Sequence, residues 1–589
     1  MRFNFRLLRR LITPALAIAF ALPAAAQTAA AVSATGPRPQ VTRAVDDAEL
    51  STLRGNTHPL VRRAVDQGAA PASLPMERMI LVLKRSAEQE SALRALFDAQ
   101  QTKGSASFHQ WLTPQQFGKQ FGPADSDIAA VEAWLESHGF KVDNVSNGRT
   151  AIEFSGTAGQ VQNAFHTAIH GYQLNGETHW ANASDPSIPT ALAPAVAGVL
   201  SLHNFPRHAQ LTLRHAPPIA LPSQDEASPL FTYVSGKDTY YGLGPTDFAT
   251  IYNVLPLWNA GIDGTGQTIA IVGETNIHLS DIANFRSQFG LPAKPPNVIL
   301  NGTDPGFSLG DEPEAVLDVS WSGAVAKNAT IDLVASATTA TALGVDLSAL
   351  YIVDNDLAPV MSESYGVCEA QLGNAGNAFY NALWQQAAAE GITVVIAAGD
   401  GGSAGCDNFN TASEASDGLA VSGFASTPYN VSVGGTDFDQ TAASAPNYWS
   451  ATNNQATGAS ALGYIPETPW NQSCAAQGAA NCTPGGSGFN IVGGSGGPST
   501  CATSNDGVCA GWPKPSWQTG PGVPQDGVRD QPDVSMFASA SMAAFTLCAR
   551  RTWARLASVR VSTLRAAWPL TALQASAEPR LPRPPLPRS

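Results

Sequence analysis

The stretch GITVVIAAGDGG, residues 391–402, decides the fold of this chain. An apolar run that ends in a Gly-rich turn predicts a β-strand buried on both faces, which is typical of a parallel sheet. Similar apolar runs occur from residue 265 to residue 435, and helical stretches separate several of them: TGQTIAIVGETNI, ATIDLVAS, APVMSESYG and PYNVSVGG. Apolar strands that alternate with helices predict a doubly wound parallel α/β sheet with helices on both faces.

The composition limits the class of protein. The chain has 589 residues, which is enough for two or more domains. Its net charge is −14, with 47 acidic residues against 33 lysines and arginines. A nucleic-acid-binding protein carries a basic surface, so this composition argues against that function.

The N-terminus has the pattern of a secretory signal peptide over residues 1–26. A basic segment, MRFNFRLLRR, precedes an apolar stretch and a small-residue cleavage site after Ala26. A short membrane anchor is the alternative, but the prolines and the limited apolar length disfavour it. No later segment has about 18 consecutive apolar residues. We therefore expect a protein that is secreted to the periplasm or the exterior and leaves the membrane once the signal is removed.

Changes of pattern divide the rest of the chain. Residues 45–205 alternate short strands with helical stretches such as SDIAAVEAWLESHGF, an order compatible with a ferredoxin-like α+β domain. Residues 206–243 are rich in Pro and Ser and predict a linker. Residues 244–540 contain the predicted parallel sheet. Residues 541–589 are rich in Arg and Pro, and we expect a disordered tail outside the core.

Seven cysteines are compatible with export, because disulfides persist in oxidising compartments. Cys368 and Cys406 each follow an apolar run, so they could meet at neighbouring strand ends. Two closely spaced pairs could clip Gly-rich loops, and one cysteine is left over: Cys474/Cys482, Cys501/Cys509 and Cys548. Metal ligation is the alternative, but the chain has no CxxC pair and histidine is sparse.

A pair of carboxyl groups is the first candidate for chemistry. Glu314 and Asp318 in DEPEAVLD are four residues apart, which places both on one face of a helix. Carboxyl groups in contact cannot easily both ionise, so one pKa rises and the pair is suited to proton transfer in acid. Two solvated acids on a helix surface are the alternative, because this spacing is common.

Strand ends give further candidates. Asp400 closes the opening stretch, where burial could keep its carboxyl protonated as a donor to an oxyanion; an Asx turn is the alternative. Residues 364–366 in VMSESYG could pair with an extended peptide, or simply leave the strand. Glu274 ends the first strand, but no HGT-type histidine follows, so a Ser-His-Asp triad is not supported. The loop GGSGGPST, residues 493–500, lacks the form of a phosphate-binding loop.

Together these stretches resemble the sedolisin family of serine-carboxyl peptidases, in its kumamolisin-like branch with an N-terminal activation domain. The resemblance covers about residues 45–540. FHQWLTPQQFGKQFGPADSDIAAVEAWLESHGF resembles the activation domain, and the peptidase domain is matched by EAVLD, SESYG, AAGDGG, SGGPS and RDQPDVSMFAS. The resemblance implies a subtilisin-like sheet, protein or peptide substrates, and an activation domain that serves as intramolecular inhibitor and folding aid.

The resemblance also implies a role for each matching residue. Glu314 would be the general base toward a serine nucleophile, Asp318 would orient Glu314, and protonated Asp400 would line the oxyanion hole. Two short segments would hold the substrate backbone: Ser364, Tyr365 and Gly366, and Ser495, Gly496 and Gly497. Activity at acidic pH would follow, because Glu314 must be ionised while Asp400 is neutral.

The sequence departs from the family where the nucleophile is expected. No G-T-S-x-x-x-P segment follows PDVS, residues 532–535, and Ser541 lies in A-S-M-A-A-F instead. The nucleophile is therefore unknown, and the sheet domain is incomplete at its C-terminus. The family also implies calcium, but its ligand segment has no counterpart here, so no metal ligand is predicted.

These observations predict a secreted endopeptidase of the zymogen type whose own chain is inactive. A catalytically dead remnant that binds peptides without cleaving them is the alternative. A third interpretation is an aspartic-type peptidase that activates water with Glu314 and Asp318 and needs no serine.

We predict a shift of reading frame near Ala540. The family-like sequence ends there and an Arg/Pro-rich sequence begins, as a change of frame would produce. Sequencing the gene around codon 540 checks this, because another frame downstream should encode a G-T-S-x-x-x-P segment. If no frame encodes that segment, the prediction is wrong.

Overall fold

The structure is a computed structural model that describes residues 36–589 with gaps. The gaps are residues 211–213, 216–231, 236–237, 410–411, 413, 442, 455, 477–490, 540–542, 546–558 and 561–589. For short strands beside these gaps only the backbone is described: residues 214–215, 232–235, 238–241, 543–545 and 559–560. The predicted signal peptide, Ser541, Cys482, Cys548 and most of the predicted tail lie outside the described residues.

The N-terminal domain is built on a four-stranded antiparallel sheet in the order β4-β5-β3-β9. Its strands are Leu50–Thr52 (β1), Val65–Ala69 (β2), Pro75–Leu83 (β3), Lys141–Val145 (β4), Ala151–Thr157 (β5), Ile169–Leu174 (β6), Glu177–Asn182 (β7), Ser187–Pro189 (β8) and Val196–Val199 (β9). Its helices are Ala87–Gln101 (α1), Pro114–Phe121 (α2), Asp125–Ser137 (α3) and Ala158–Phe165 (α4). Along the chain, β3, α1–α3, β4, β5, α4 and β9 give the β-α-β-β-α-β order, so the predicted ferredoxin-like fold is confirmed.

Local sequence fixes where the helices of this domain begin. Ser86 caps α1 and Thr113 caps α2, and in each case a Gln three residues later completes a capping box. Pro114 occupies the first turn of α2, where its missing N–H has no partner to lose. These caps satisfy backbone donors that a helix otherwise leaves unpaired.

The second domain contains an eight-stranded sheet in the order β15-β16-β14-β17-β19-β20-β21, with β26 also paired to β20. The strands are Thr268–Gly273 (β14), Asn297–Leu300 (β15), Thr330–Ala335 (β16), Val360–Glu363 (β17), Thr393–Ala397 (β19), Val431–Phe438 (β20), Glu467–Pro469 (β21) and Val534–Phe537 (β26). All pairs are parallel except β20 with β21. The predicted doubly wound parallel sheet is confirmed.

Helices cover both faces of this sheet. They are Pro245–Ile251 (α5), Leu255–Asn259 (α6), Leu279–Gln288 (α7), Glu312–Val325 (α8), Gly344–Asp354 (α9) and Glu369–Glu390 (α10). One buried cluster joins α5, α7 and α8 to alternate residues of the strands, and a second joins α9 and α10 to the residues between them. Successive side chains of a strand point to opposite faces of the sheet, so each strand contributes to two separate cores. Across the described residues, no helix combines the length and apolar character needed to cross a bilayer.

The two domains share a buried surface. Ile80 and Val82 of β3 belong to the same apolar cluster as α9 and α10. The carboxyl group of Asp354, at the end of α9, accepts hydrogen bonds from the backbone N–H groups of Asn147 and Gly148, both at 2.8 Å. The N-terminal domain is therefore packed against the helical face of the sheet domain that α9 and α10 form.

Parts of the predicted linker and tail are paired. In the linker, His208–Ala209 (β10), Arg214–His215 (β11), Thr232–Ser235 (β12) and Asp238–Leu243 (β13) form short strands. In the tail, the backbone of residues 543–545 pairs with β13 and that of residues 559–560 pairs with β11. A Pro/Ser-rich composition did not predict these pairings, because strands of two to six residues leave little periodic signal.

Small strands complete the described chain. They are Tyr365–Gly366 (β18), Gly497–Pro498 (β22), Thr503–Asn505 (β23), Val508–Ala510 (β24), Asp530–Gln531 (β25), Ala543–Phe545 (β27) and Val559–Arg560 (β28). Two of the predicted disulfides are present: Cys368–Cys406 and Cys501–Cys509. Cys474 is disulfide-bonded as well.

We predict that the disulfide with the longer loop stabilises the fold more. In the chain-entropy account, Cys368–Cys406, with a separation of 38, contributes about 4 kcal/mol to the free energy of unfolding. Cys501–Cys509, with a separation of 8, contributes about 2.5 kcal/mol. Urea unfolding of the C368S/C406S and C501S/C509S variants without reductant checks this order. A larger loss for the shorter loop would contradict it.

Candidate active site

The candidate site lies at the carboxyl edge of the parallel sheet. Strands β14, β17 and β19 are neighbours, so the residues that follow them emerge at one edge. Those residues include Glu274, Ser364 and Asp400. Open α/β sheets bind their ligands at this edge, and the topology therefore gathers the predicted strand-end residues in one region.

Glu314 and Asp318 lie in the first turns of α8, which packs against β14 and β16. Both side chains are fully buried, which excludes the alternative of two solvated acids. Burial raises the pKa of Asp318 to about 8, while hydrogen bonds with the side chains of Glu314 and Ser364 oppose that rise. The helix spacing therefore places the two carboxyl groups in one buried, interacting pair, and the sharing of a proton between them stays a prediction.

Tyr365 interacts electrostatically with the pair and with two further acids. Burial raises the pKa of its phenol well above the ordinary value, and the negative charges of Glu274, Asp311, Glu314 and Asp318 add to the rise. The phenol therefore stays neutral and lies among four carboxyl groups. Sequence reasoning placed Tyr365 in a substrate-binding segment but did not anticipate this surrounding of acids.

Glu274 and Asp311 form the outer part of this acidic region. Burial, followed by the charge of Asp311, raises the pKa of Glu274 to about 8, and Thr338 donates a hydrogen bond to its carboxyl at 2.7 Å. The sequence analysis noted Glu274 only as a strand end without a histidine partner, and it missed Asp311. Position at the carboxyl end of a buried strand was the available signal for Glu274.

The turn that carries Asp400 is held by the Gly-rich loop. Gly399 has a φ of +119°, which favours glycine at this position. The Ser495 N–H donates to the Gly399 carbonyl at 2.9 Å, and the Ser495 hydroxyl accepts from the Gly401 N–H at 3.0 Å. Asp400 is fully buried. The structure therefore brings Ser495 to the Asp400 turn, as a support for its backbone.

Gly496 and Gly497 lie beside β25. A side chain at Gly496 would lie 2.8 Å from the backbone oxygen of Gln531, and Gly497–Pro498 pairs antiparallel with Asp530–Gln531. Gly496 permits close packing against β25, and Gly497 pairs with that strand. Their substrate-binding role stays a prediction.

A segment of the chain itself occupies the cleft between Ser364 and Asp400. His208–Ala209 (β10) pairs antiparallel with Tyr365–Gly366 (β18). The next residue, Gln210, donates its N–H to the Ser364 carbonyl at 3.0 Å and accepts from the Asp400 N–H through Oε1 at 3.2 Å. The predicted S-x-G edge therefore pairs with an extended peptide, and that peptide belongs to the predicted linker.

One cluster of possible metal ligands bears on the calcium that the family resemblance implies. Among the described residues, one group of acids and histidine has ligand atoms within 4.8 Å of one another: His278, Asp281 and Glu312. His278 Nδ1 contacts Glu312 Oε1 in an ion pair. Calcium takes six to eight oxygen ligands. An imidazole nitrogen with two carboxylates does not fit that requirement, and no step of the chemistry is assigned to a metal.

The fold and this site define a class of protein. A parallel α/β domain carries paired, buried carboxyl groups at its carboxyl edge, and an N-terminal ferredoxin-like domain extends a segment along that edge. Known proteins match both parts. The family model described as "Pro-kumamolisin, activation domain" matches residues 62–205, within the N-terminal domain predicted at residues 45–205.

Curated relatives match about two thirds of the chain. Sedolisin from Pseudomonas sp. (strain 101) is 29% identical over 414 residues, covering 69% of this chain and 65% of the relative. Xanthomonalisin from Xanthomonas sp. (strain T-22) is 28% identical, covering 66% and 49%, and kumamolisin from Bacillus sp. (strain MN-32) is 26% identical, covering 66% and 67%. The chain is therefore similar to sedolisin and its relatives over about two thirds of its length. It spans less than two thirds of the length of sedolisin and about half that of xanthomonalisin.

We predict that Asp318 makes stability fall as pH rises. Its pKa is 3.8 in an ordinary environment and about 8 here, so between these values the unfolded chain releases a proton that the folded chain keeps. The stabilisation is complete below the unfolded pKa and is lost toward the folded pKa, by up to about 1.4 kcal/mol per pH unit. Asp318→Asn cannot titrate, so its stability should depend less on pH. Urea unfolding of both proteins from pH 4 to pH 8 measures the difference.

The matched control is Asp98→Asn, at an exposed aspartate of the N-terminal domain. Its pH dependence should equal that of the wild type. Parallel curves for the wild type and Asp318→Asn would contradict the assignment of a retained proton to Asp318.

Proposed function

We propose that the chain is the zymogen form of a secreted serine-carboxyl endopeptidase that works in acid, and that this chain is inactive because its nucleophile segment is missing. The observation that carries the proposal is the pairing of residues 208–210 along Ser364–Gly366 and the Asp400 turn. A cleft that already accommodates an extended peptide beside a buried carboxyl pair has the geometry of a peptide-cleaving site. The same pairing supports intramolecular inhibition, because a substrate would have to displace this segment.

The carboxyl groups have separable tasks in the proposed reaction. Glu314, ionised, would accept the proton of a serine hydroxyl as that hydroxyl attacks the peptide carbonyl. Asp318, protonated because of its burial, would donate to Glu314 and hold it in position. Asp400, if protonated, would donate to the oxyanion that develops on the carbonyl oxygen. Each task follows from the protonation state that the carboxyl group adopts.

Acidic conditions suit this division of tasks. The raised pKa of Asp318 keeps its proton in place throughout the acidic range. The proposed roles require Glu314 without its proton and Asp400 with one, a combination that acid favours. A working pH below neutrality is therefore expected for the intact family site.

The nucleophile is the missing part. Glu314 and Asp318 can move a proton but cannot form the acyl intermediate that a serine would form. Ser541, which sequence context did not support as nucleophile, lies outside the described residues. Secretion is proposed from the signal-like residues 1–26, and the disulfides are compatible with an oxidising compartment.

A peptide-binding remnant is the second candidate. It is favoured by the same edge strand: Ser364–Gly366 binds an extended peptide through backbone hydrogen bonds, which require no nucleophile. An inactive chain that retains this edge would still bind peptides once the segment at residues 208–210 has left.

We predict that the purified full chain does not cleave a denatured protein at about pH 4. A chain with the G-T-S-x-x-x-P segment restored should cleave it and should incorporate a serine-directed covalent label. Glu314→Gln in the restored chain should lower kcat by about a thousandfold or more, because a nucleophile without its base is a weak one. Gel electrophoresis and mass spectrometry of the products measure both results.

The control is Glu136→Gln in the restored chain, which changes an exposed glutamate of α3 and should leave kcat unchanged. A contrary outcome is cleavage by the unrestored chain that Glu314→Gln abolishes and that the serine-directed label does not affect. That result would establish the mechanism in which Glu314 and Asp318 activate water. A restored chain without activity would overturn the peptidase proposal.

A further inference from the structure

Arg207 is a buried cation in the segment that occupies the cleft. Its side chain and that of Asp346 are each 1% exposed, and the two form an ion pair. Nη2 and Nε of Arg207 donate to the two oxygens of Asp346 at 3.1 and 3.4 Å. A guanidinium this far from water is stable only when its surroundings replace the solvent, so the pocket around it must be adapted to that group.

The pocket walls are polar on one side and aromatic on the other. The Tyr380 hydroxyl donates to Asp346 at 2.6 Å and lies 3.5 Å from an oxygen of Glu363, which is fully buried. The Arg207 guanidinium lies 5.7 Å from the centroid of the Phe424 ring, within the range of a cation–π contact. The wall therefore offers two carboxyl groups, a hydroxyl and a ring face to one basic side chain.

The pocket has unused capacity for hydrogen bonding. Among the described residues, Nη1 of Arg207 and Oε2 of Glu363 have no hydrogen-bond partner. Burial, followed by the charge of Asp346, raises the pKa of Glu363 well above its ordinary value, so this carboxyl group is neutral. Asp346 alone then balances the charge of Arg207, and Glu363 remains as an additional acceptor.

The wall belongs entirely to the sheet domain. Asp346 is in α9, Glu363 ends β17 one residue before Ser364, and Tyr380 is in α10. Only the cation comes from the N-terminal side of the chain. If the segment leaves the cleft, the wall stays and Asp346 loses its cation, while the hydrogen bond from Tyr380 remains. A buried carboxylate without a cation is strongly unfavourable, so binding of another cation of suitable shape stabilises the site.

The backbone register fixes where that cation must stand in a peptide. Gln210 donates to the carbonyl of Ser364, and the Ser364 side chain interacts with Asp318, so Gln210 pairs with the residue that adjoins the carboxyl pair. Arg207 precedes it by three residues. In a peptide bound in the same register, one residue takes the place of Gln210 next to the carboxyl pair. The residue three positions before it would then lie at the mouth of this pocket.

We propose that the pocket formed by Asp346, Glu363, Tyr380 and Phe424 is a subsite that binds an arginine or lysine side chain of a peptide, three residues before the one beside the carboxyl pair. The inference rests on the proposed function, because it assumes that other peptides follow the path of residues 207–210. Arginine is favoured over lysine, since two of its nitrogens contact Asp346 at once.

Binding of short peptides to the full chain tests the subsite. Residues 207–210 are all changed to glycine, so that the chain no longer offers its own arginine. Three peptides are compared by fluorescence anisotropy: acetyl-Ala-Arg-Ala-Ala-Gln-amide, the same peptide with norleucine for arginine, and acetyl-Arg-Ala-Ala-Ala-Gln-amide, in which arginine is one position too early. The first should bind at least tenfold more tightly than either of the others.

Asp346→Asn in this background should reduce the preference for arginine to less than threefold, while the exposed control Asp98→Asn should leave it unchanged. Equal affinity for the arginine and norleucine peptides, a preference that survives Asp346→Asn, or absence of binding by all three peptides would overturn the proposal. Binding requires no cleavage. Selective binding without cleavage by a restored chain therefore contradicts only the peptidase proposal, and cleavage without selectivity contradicts only the subsite.

A second measurement applies if the glycine variant does not fold. In Arg207→Ala, added propylguanidinium should occupy the vacated pocket and raise the thermal midpoint by several degrees, while propanol at the same concentration should not. The rise should disappear in Arg207→Ala/Asp346→Asn. Equal effects of the two compounds, or an unchanged rise in the double variant, would overturn the proposal.

Discussion

The removal of carboxyl groups from water is the constraint on which the structure of the site depends. Glu314, Asp318, Glu363 and Asp346 are all close to fully buried at the carboxyl edge of one sheet. A buried carboxylate is tolerated only with a proton, a cation or several donors around it. Burial keeps a proton on Asp318 and on Glu363, and Asp346 has Arg207. The protonation of the site and the docking of the N-terminal segment are therefore parts of the same charge balance.

The fold supplies this arrangement with few special features. Parallel strands bring their carboxyl ends to one edge, so strand-end residues that are distant in sequence meet without a long loop. Helix α8 adds its acids from the face of the sheet, because it packs against β14 and β16. The Gly-rich loop then fixes the Asp400 turn through backbone contacts of Ser495. Each candidate side chain is thus held by a helix, by the end of a strand or by a supported turn.

The sequence predicted the structure correctly where a pattern repeats along the chain, or where the spacing of two residues is compatible with one geometry. Apolar runs predicted the sheet, and the order of elements predicted the ferredoxin-like domain. The four-residue spacing of Glu314 and Asp318 predicted their common face. Cys368 and Cys406 were matched through their positions after strands, and the structure joins them.

Prediction from the sequence failed where function depends on pairs that no local pattern reveals. The Arg207–Asp346 pair joins residues separated by 139 positions, and composition had assigned Arg207 to a linker. β10 has two residues, too few for any period. Glu363 lies in an apolar strand pattern, so its burial beside Asp346 depends on how α9 and α10 pack. Tertiary context, which a single sequence does not contain, decides each of these.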